Sequence, residues 1–344
     1  VVEVTDELHD AYDVVVAGGG AAGLNGALML ARSRRTVAVI DAGAPRNAPA
    51  EGVHGLLARD GMPPGELLAR GRAEVRHYGG QVLRGEIGAV TRGERGAFAV
   101  TLADGRSTRA RRLLVATGLV DELPAVPGLR EGWGRDVLHC PYCHGWEVRD
   151  RAVGVLGGGP MSVHQALLFR QLSDDVLFFP HAAPPPAGEE AERLAARGIR
   201  VVEGEVAAVE YARGRLAGLR MADGRRLARQ ALVVGPRMVA RVPFLAGIGL
   251  RPVEHPGGAG EFLPADATGR TEVPGVWAAG NVADLAAQVG AAAAAGALAA
   301  AHLNADLVAE ETDAALAARR TASRAGDGDG DGAAAAAGGS PRGR

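Results

Sequence analysis

The residues best equipped for chemistry lie together in His139-Cys140-Pro141-Tyr142-Cys143-His144-Gly145-Trp146-Glu147, which holds the only two cysteines of the 344-residue chain. One helical turn separates the sulfurs, so each can reach the other, and a histidine adjoins each cysteine. That is a dithiol/disulfide switch with bases at hand. A thiolate at the start of a helix is favoured by unpaired N–H groups and the positive end of the helix dipole, and Pro141 suits the first helical position because it needs no N–H partner there. Cys140 is therefore the sulfur expected to ionise more readily. Three other readings of these residues stay open at this level. Cys140, Cys143, His139 and His144 are the right atom types for zinc, although adjacent Cys-His pairs reach a tetrahedron poorly. The thiols could be an inert buried pair. A Cys-Pro-Tyr-Cys tetrad also occurs in glutaredoxin-like folds, where it follows the first strand of a small domain.

The elements that must position this stretch begin at Tyr12–Ala17, an apolar, mostly β-branched run that ends in Gly18-Gly19-Gly20-Ala21-Ala22-Gly23 before the helix-like Leu24–Arg32. Strand, glycine turn and helix form a dinucleotide fingerprint: Gly18 for the tight turn, Gly20 for close approach of the backbone to a pyrophosphate, Gly23 for helix–strand packing. A second strand, Thr36–Ile40, ends in Asp41, at the spacing expected for a carboxylate on the adenosine ribose. The loop 42–60 follows, with Arg46, Asn47 and His54 as candidate cofactor contacts. Helical spacing over Pro64–Tyr78 and strands at Gln81–Ile87, Phe98–Leu102 and Ser107–Arg111 lead to a buried strand, Leu113-Leu114-Val115-Ala116-Thr117-Gly118, that returns to the nucleotide.

Past the proline-spaced linker 123–128 and the dithiol, a second nucleotide-like unit reads as strand Ala152–Leu156, turn Gly157-Gly158-Gly159-Pro160-Met161-Ser162 and helix Val163–Gln171. Its next strand, Val176–Phe179, runs into Pro180-His181-Ala182-Ala183, with neither an Arg for a 2′-phosphate nor a carboxylate for a ribose diol. Nicotinamide binding there is in doubt. A helix at Glu189–Arg197 and strands at Val201–Val209, Arg215–Met221 and Ala231–Gly235 complete this lobe. The chain then returns with the apolar strand Val276-Trp277-Ala278-Ala279-Gly280-Asn281 and a helix Gln288–Leu307.

Composition narrows the classes. A formal net charge of −2 points to neither nucleic acid nor an anionic membrane. The first residues carry no charged-then-apolar leader, so a cytoplasmic location is expected, where paired thiols are more often catalytic than structural. Val289–Ala301 is too short and too weakly apolar to span a bilayer. From residue 312 to 344 Ala, Gly, Asp, Ser and Arg recur without periodicity, and a disordered tail is expected. Its Asp327-Gly328-Asp329-Gly330-Asp331-Gly332 lacks the flanking helices and closing Glu of a calcium loop.

In order, these parts resemble the low-molecular-weight thioredoxin reductase family from Tyr12 to about Leu307. The resemblance rests on the first glycine motif, Ala116-Thr117-Gly118, the dithiol followed by His144-Gly145, the Gly157–Gly159 turn and Gly275-Val276-Trp277-Ala278-Ala279-Gly280. It implies an α/β fold of two nested Rossmann-like, doubly wound lobes and a homodimer. FAD would be held by residues 1–118 and 245–311, and an inserted lobe, 119–244, would carry the dithiol. Around the flavin it implies Gly18, Gly20, Ala21, Ala22, Gly23, Thr117, Gly118, Gly280, Asn281, Gln288 and Val289, the helix start at the last two facing its pyrimidine edge. Three departures stand out. His144 occupies the place of an acid after the second cysteine, the Arg pair for NADPH is missing around His181, and Gly280-Asn281 replaces Gly-Asp. The first two, with His139, make the chain more similar to FAD-dependent dithiol oxidases that close disulfides in gliotoxin- and holomycin-type natural products.

On that resemblance the expected chemistry is oxidation of a small-molecule dithiol, with O2 as terminal acceptor and His139 or His144 as the base. Cys140 would be the sulfur attacked and Cys143 the one nearest the flavin, with Asp284 a candidate to orient an imidazole. The alternative is an NAD(P)H-dependent reductase serving a thioredoxin-like protein, and a third reading is a flavin-bearing redox sensor.

Overall fold

The computed structural model describes residues 6–93, 96–159 and 161–328. The chain divides into two compact units, 1–301 and 302–344. In the first unit, β1 (Ala11–Ala17), α1 (Ala21–Arg32) and β2 (Val37–Asp41) are followed by α2 (Pro64–His77), β3 (Gln81–Arg84), β4 (Ile87–Arg92), β5 (Phe98–Leu102) and β6 (Ser107–Val115). The first sheet runs β3-β2-β1-β6-β5-β4. Its β3, β2, β1 and β6 are parallel, and β5 and β4 turn back antiparallel. β6 is long because its outer edge serves two partners: Ser107–Ala110 pairs β5, and Leu113–Val115 pairs β19 (Val276–Ala278), which arrives from far along the chain. Period-two burial explains the packing: Val15 and Ala17 join one apolar core with Phe98, Leu102 and Leu245, while Val16 turns the other way, toward Gly23 of α1.

A two-stranded antiparallel ribbon, β7 (Leu119–Glu122) with β16 (Arg237–Ala240), carries the chain out of these strands and back. Between them lie α3 (Leu129–Gly132), β8 (Val137–Leu138), α4 (Pro141–His144), β9 (Val153–Leu156), α5 (Ser162–Phe169), β10 (Val176–Phe179), α6 (Glu189–Ala196), β11 (Arg200–Val201), β12 (Val206–Ala212), β13 (Arg215–Met221), β14 (Arg226–Ala228) and β15 (Ala231–Val234). The parallel order β11-β10-β9-β15-β8 makes a second sheet, with β12-β13-β14 as an antiparallel layer. Alternation along β10 shows the layering. Leu177 and Phe179 share a core with Val209, Leu219 and Met221, whereas Val176 and Phe178 share one with Phe169 and Leu194 of the helices. The remaining elements are β17 (Val253–Glu254), β18 (Glu261–Phe262), β19 and α7 (Val289–Gly328).

The parallel strands and their glycine turns fall where the spacing places them, and four expectations change. The single strand expected over Val201–Val209 is two, because Gly204 takes a positive φ of 109° and redirects the chain from β11 to β12. Gln81–Ile87 likewise divides, and its halves lie on opposite edges of the first sheet. The tail expected to be disordered from residue 312 is helical as far as Gly328, since Ala, Glu and Arg are strong helix formers even without an apolar stripe. That helix changes the reading of membrane length too. Its stretch Val289–Ser323, with mean hydropathy 1.3 over its most apolar window, is long and apolar enough to cross a bilayer, a measure that alanine-rich core helices also meet. Residues 329–344, with the later part of the Asp-Gly repeat, lie outside the described residues.

Candidate active site

A cavity of about 1240 Å³ opens at the carboxyl ends of β1, β2 and β6, larger than the roughly 300–1,000 Å³ usual for small-molecule pockets. Backbone geometry shapes its floor. A Cβ on Gly18 would lie 2.5 Å from the Ala116 carbonyl oxygen, and one on Gly23 would lie 1.9 Å from the Gly18 oxygen, so both positions need glycine. Gly20 faces open space, with nothing within 4 Å of where a Cβ would stand. It precedes α1, whose first turn has neither a side-chain cap nor an acidic residue, leaving its N–H groups free for an anion. Asp41 lines the cavity at the end of β2, accepting from the Gly43 N–H at 3.0 Å. Thr117 Oγ1 is buried there with no partner. A free helix start, a carboxylate at the end of the neighbouring parallel strand and an orphaned hydroxyl together fit a dinucleotide such as FAD.

The dithiol enters the same cavity from α4. Cys140 and Cys143 are joined as a disulfide, their Cα atoms 5.3 Å apart. Cys140 is the N-cap of α4, extended at φ −101°, and its Sγ accepts from the Cys143 N–H at 3.2 Å. When the pair is reduced, that N–H is placed to favour a thiolate on Cys140. With both sulfurs in the disulfide, and no group of three or more His, Cys, Asp or Glu spaced to hold a metal among the described residues, the zinc reading has no ligand set.

The two histidines flanking the sulfurs differ. Burial, then the charge of Arg46, pushes the His139 pKa below its ordinary value, against Asp121 and a hydrogen bond to the Val234 carbonyl. Gln165 Nε2 lies 3.2 Å from His139 Nδ1 and donates to the His139 carbonyl at 3.0 Å. Turning the Gln165 amide over would set two carbonyl oxygens against each other, so Nδ1 accepts and the other ring nitrogen carries the proton. Burial also lowers the His144 pKa, opposed by Glu147 and aided by His54. Its Nε2 is buried without a partner. At neutral pH His144 is thus an uncommitted neutral base.

Nearly every residue singled out from the sequence lines this one cavity: Gly18, Gly20, Ala21, Ala22, Asp41, Arg46, Asn47, His54, Thr117, Gly118, the dithiol with its two histidines, Gly280, Asn281, Gln288 and Val289. Gly23 sits beneath the floor. Asp284 is a correction: it lines a separate recess, and its Oδ1 accepts from the Ala286 N–H at 2.9 Å, so it orients no imidazole. Arg46 grips Asp121 with two nitrogens, at 2.7 and 2.6 Å, and reaches Asn281 Oδ1 at 3.4 Å. Asn281 Nδ2 donates to the carbonyls of Asp284 and Ala287 at 3.0 and 2.8 Å. Asp121 and Gln165 were not legible beforehand, because their partners lie 75 and 26 residues away.

Residues 12–300 match the family model described as pyridine nucleotide-disulphide oxidoreductase. A protein named thioredoxin reductase tcpT from Claviceps purpurea is 30% identical over 285 residues, covering 78% of this chain and 86% of that protein. A probable thioredoxin reductase from Arthroderma benhamiae is 32% identical over 174 residues; there the match spans 49% of this chain and 43% of that protein's length. Among solved structures, one titled as the crystal structure of HlmI superposes with a TM-score of 0.86 at 46% identity, covering 93% of this chain and all of that one.

Proposed function

The chain belongs to the pyridine nucleotide-disulphide oxidoreductase family, in its thioredoxin reductase-like part, and within that family of thiol oxidoreductases we propose that it is an FAD-dependent dithiol oxidase. Its substrate is a small molecule with two thiols, and its product the intramolecular disulfide. One observation carries the choice of direction. In Pro180-His181-Ala182-Ala183, which follows β10 where a nicotinamide enzyme holds the adenine ribose, His181 alone has a polar side chain, and its Nδ1 already accepts from the Val206 N–H at 3.1 Å. That segment itself supplies no arginine to a 2′-phosphate.

A substrate thiol gives its proton to His144, and its sulfur attacks Cys140; the Cys140–Cys143 bond breaks, leaving Cys143 as thiolate and the substrate on Cys140. The second substrate thiol loses its proton and attacks the first substrate sulfur. The ring disulfide leaves, and Cys140 departs as a thiolate facing the Cys143 N–H. Gly18–Gly23, Asp41, Thr117 and the start of α7 would hold FAD, which when bound would accept the pair's two electrons, with O2 as terminal oxidant. The two-lobe division at residues 118 and 245 and the homodimer belong to this reading.

A second reading, reduction of a thioredoxin-like protein by NAD(P)H, is favoured by the names of the fungal relatives. Anaerobic mixing separates the two. Oxidised, flavin-loaded protein is combined in turn with dithiothreitol, NADPH and NADH while the visible flavin band is followed. Bleaching by the dithiol alone is expected; rapid bleaching by NADPH overturns the oxidase.

A further inference from the structure

We propose that Glu147 and His54 form, with His144, a proton exit from the half-buried sulfurs to solvent at Asp60. This rests on the dithiol reading and deepens it. Each turnover strips two protons from substrate thiols, and the half-buried His144, which lines the cavity with the sulfurs, has its Nε2 buried without a partner. His139 is already engaged, since Gln165 and the Val234 carbonyl occupy its ring.

Glu147 lies one turn after His144, at 41% side-chain exposure, and its Oε1 stands 3.5 Å from His54 Nε2. The opposite nitrogen of that ring, Nδ1, stands 3.4 Å from Asp60 Oδ2. His54 therefore has a carboxylate at each nitrogen, one on the dithiol segment and one in solvent, Asp60 being 69% exposed. A second contact, from the Gly55 N–H to Asp60 Oδ1 at 2.9 Å, and the bridge pairing Val53 with Met62 hold the loop in place. The charged and titratable groups facing His54 are Asp60 on its own loop and Glu147 and His144 on the dithiol segment. No redox change is involved. The proton moves from substrate sulfur to His144, to the Glu147 carboxylate directly or through one water, and to His54 Nε2, while the Nδ1 proton leaves through Asp60.

The test follows reduction of the Cys140–Cys143 disulfide itself. Holoprotein is mixed anaerobically with dithiothreitol in dilute buffer, and new thiols are alkylated and counted by mass spectrometry at successive times, for wild type, His54→Gln, Glu147→Gln and Glu147→Asp. The flavin spectrum and thermal midpoint check that each variant is folded. The expected result is about a tenfold or greater slowing in His54→Gln and Glu147→Gln. Added imidazole should restore His54→Gln in proportion to its concentration, and Glu147→Asp should retain most of the rate. Wild-type rates in both Gln variants, or slowing that imidazole never relieves, overturn the exit path while leaving the dithiol reading intact. A wild-type disulfide that no dithiol reduces overturns both.

Discussion

His144 and Cys143 carry the chemistry at the scale of single residues, and each can be isolated. Cys143→Ser should keep its visible flavin spectrum and lose turnover, because Cys140 is then a lone thiol and no disulfide is left for the substrate sulfur to attack; a variant that still turns over removes the sulfur relay. For His144 the sign of the pH effect follows from burial, which holds its pKa below the ordinary value of about 6.5. The neutral base is therefore present above that range and persists somewhat below it. Wild-type thiol attack should hold steady through neutrality and fall only in acid, whereas His144→Ala should track ionisation of the substrate thiol, losing about a hundredfold or more near pH 6 and much less near pH 9. A parallel pair of profiles in stopped-flow reduction would remove His144 from the role. The misreading of Asp284 belongs here as well. An Asp two residues before a free N–H closes a local turn, the commoner use of that residue type.

At the scale of elements, the turn after β19 departs from the family in an informative way. Asn281 spends its amide nitrogen on the carbonyls that shape 284–287 and turns its oxygen to Arg46. Asn281→Asp sets a carboxylate oxygen against those carbonyls, and a loss of about 1–3 kcal/mol is expected in a urea titration despite the nearby guanidinium. Unchanged stability together with tighter flavin retention would mean that Arg46 governs the position instead. The long helix gives a different test. Truncation before Thr312 should lower the helical circular dichroism signal, since 312–328 are helical, with Thr312 and Thr321 bonded back to the carbonyls of Val308 and Ala317. An unchanged helical signal after removal would return that stretch to the unstructured tail its sequence invites.

Across the whole molecule, two half-buried histidines with lowered pKa values tie stability to acidity. Below about pH 6.5 the unfolded chain binds protons that the folded chain refuses, so stability should rise with pH toward that value and level off above it. A chemical-denaturation series from pH 5 to 8 reads this directly, and His139→Asn with His144→Asn should flatten the acid limb; an equally steep limb in the double variant assigns it elsewhere. What the sequence alone determined is whatever local pattern can carry: the strand, glycine and helix signature, the carboxylate ending β2, the paired sulfurs and the alternation that builds both sheets. Steric limits on φ and the two-residue pleat act over a few neighbours, so they are written in order along the chain. Tertiary structure alone decided which groups face one another across long separations. It set Gln165 against His139, Arg46 against Asp121 and His54 against Glu147, and it left His144 uncommitted. Those pairings depend on how the elements pack, and no spacing along the chain encodes them.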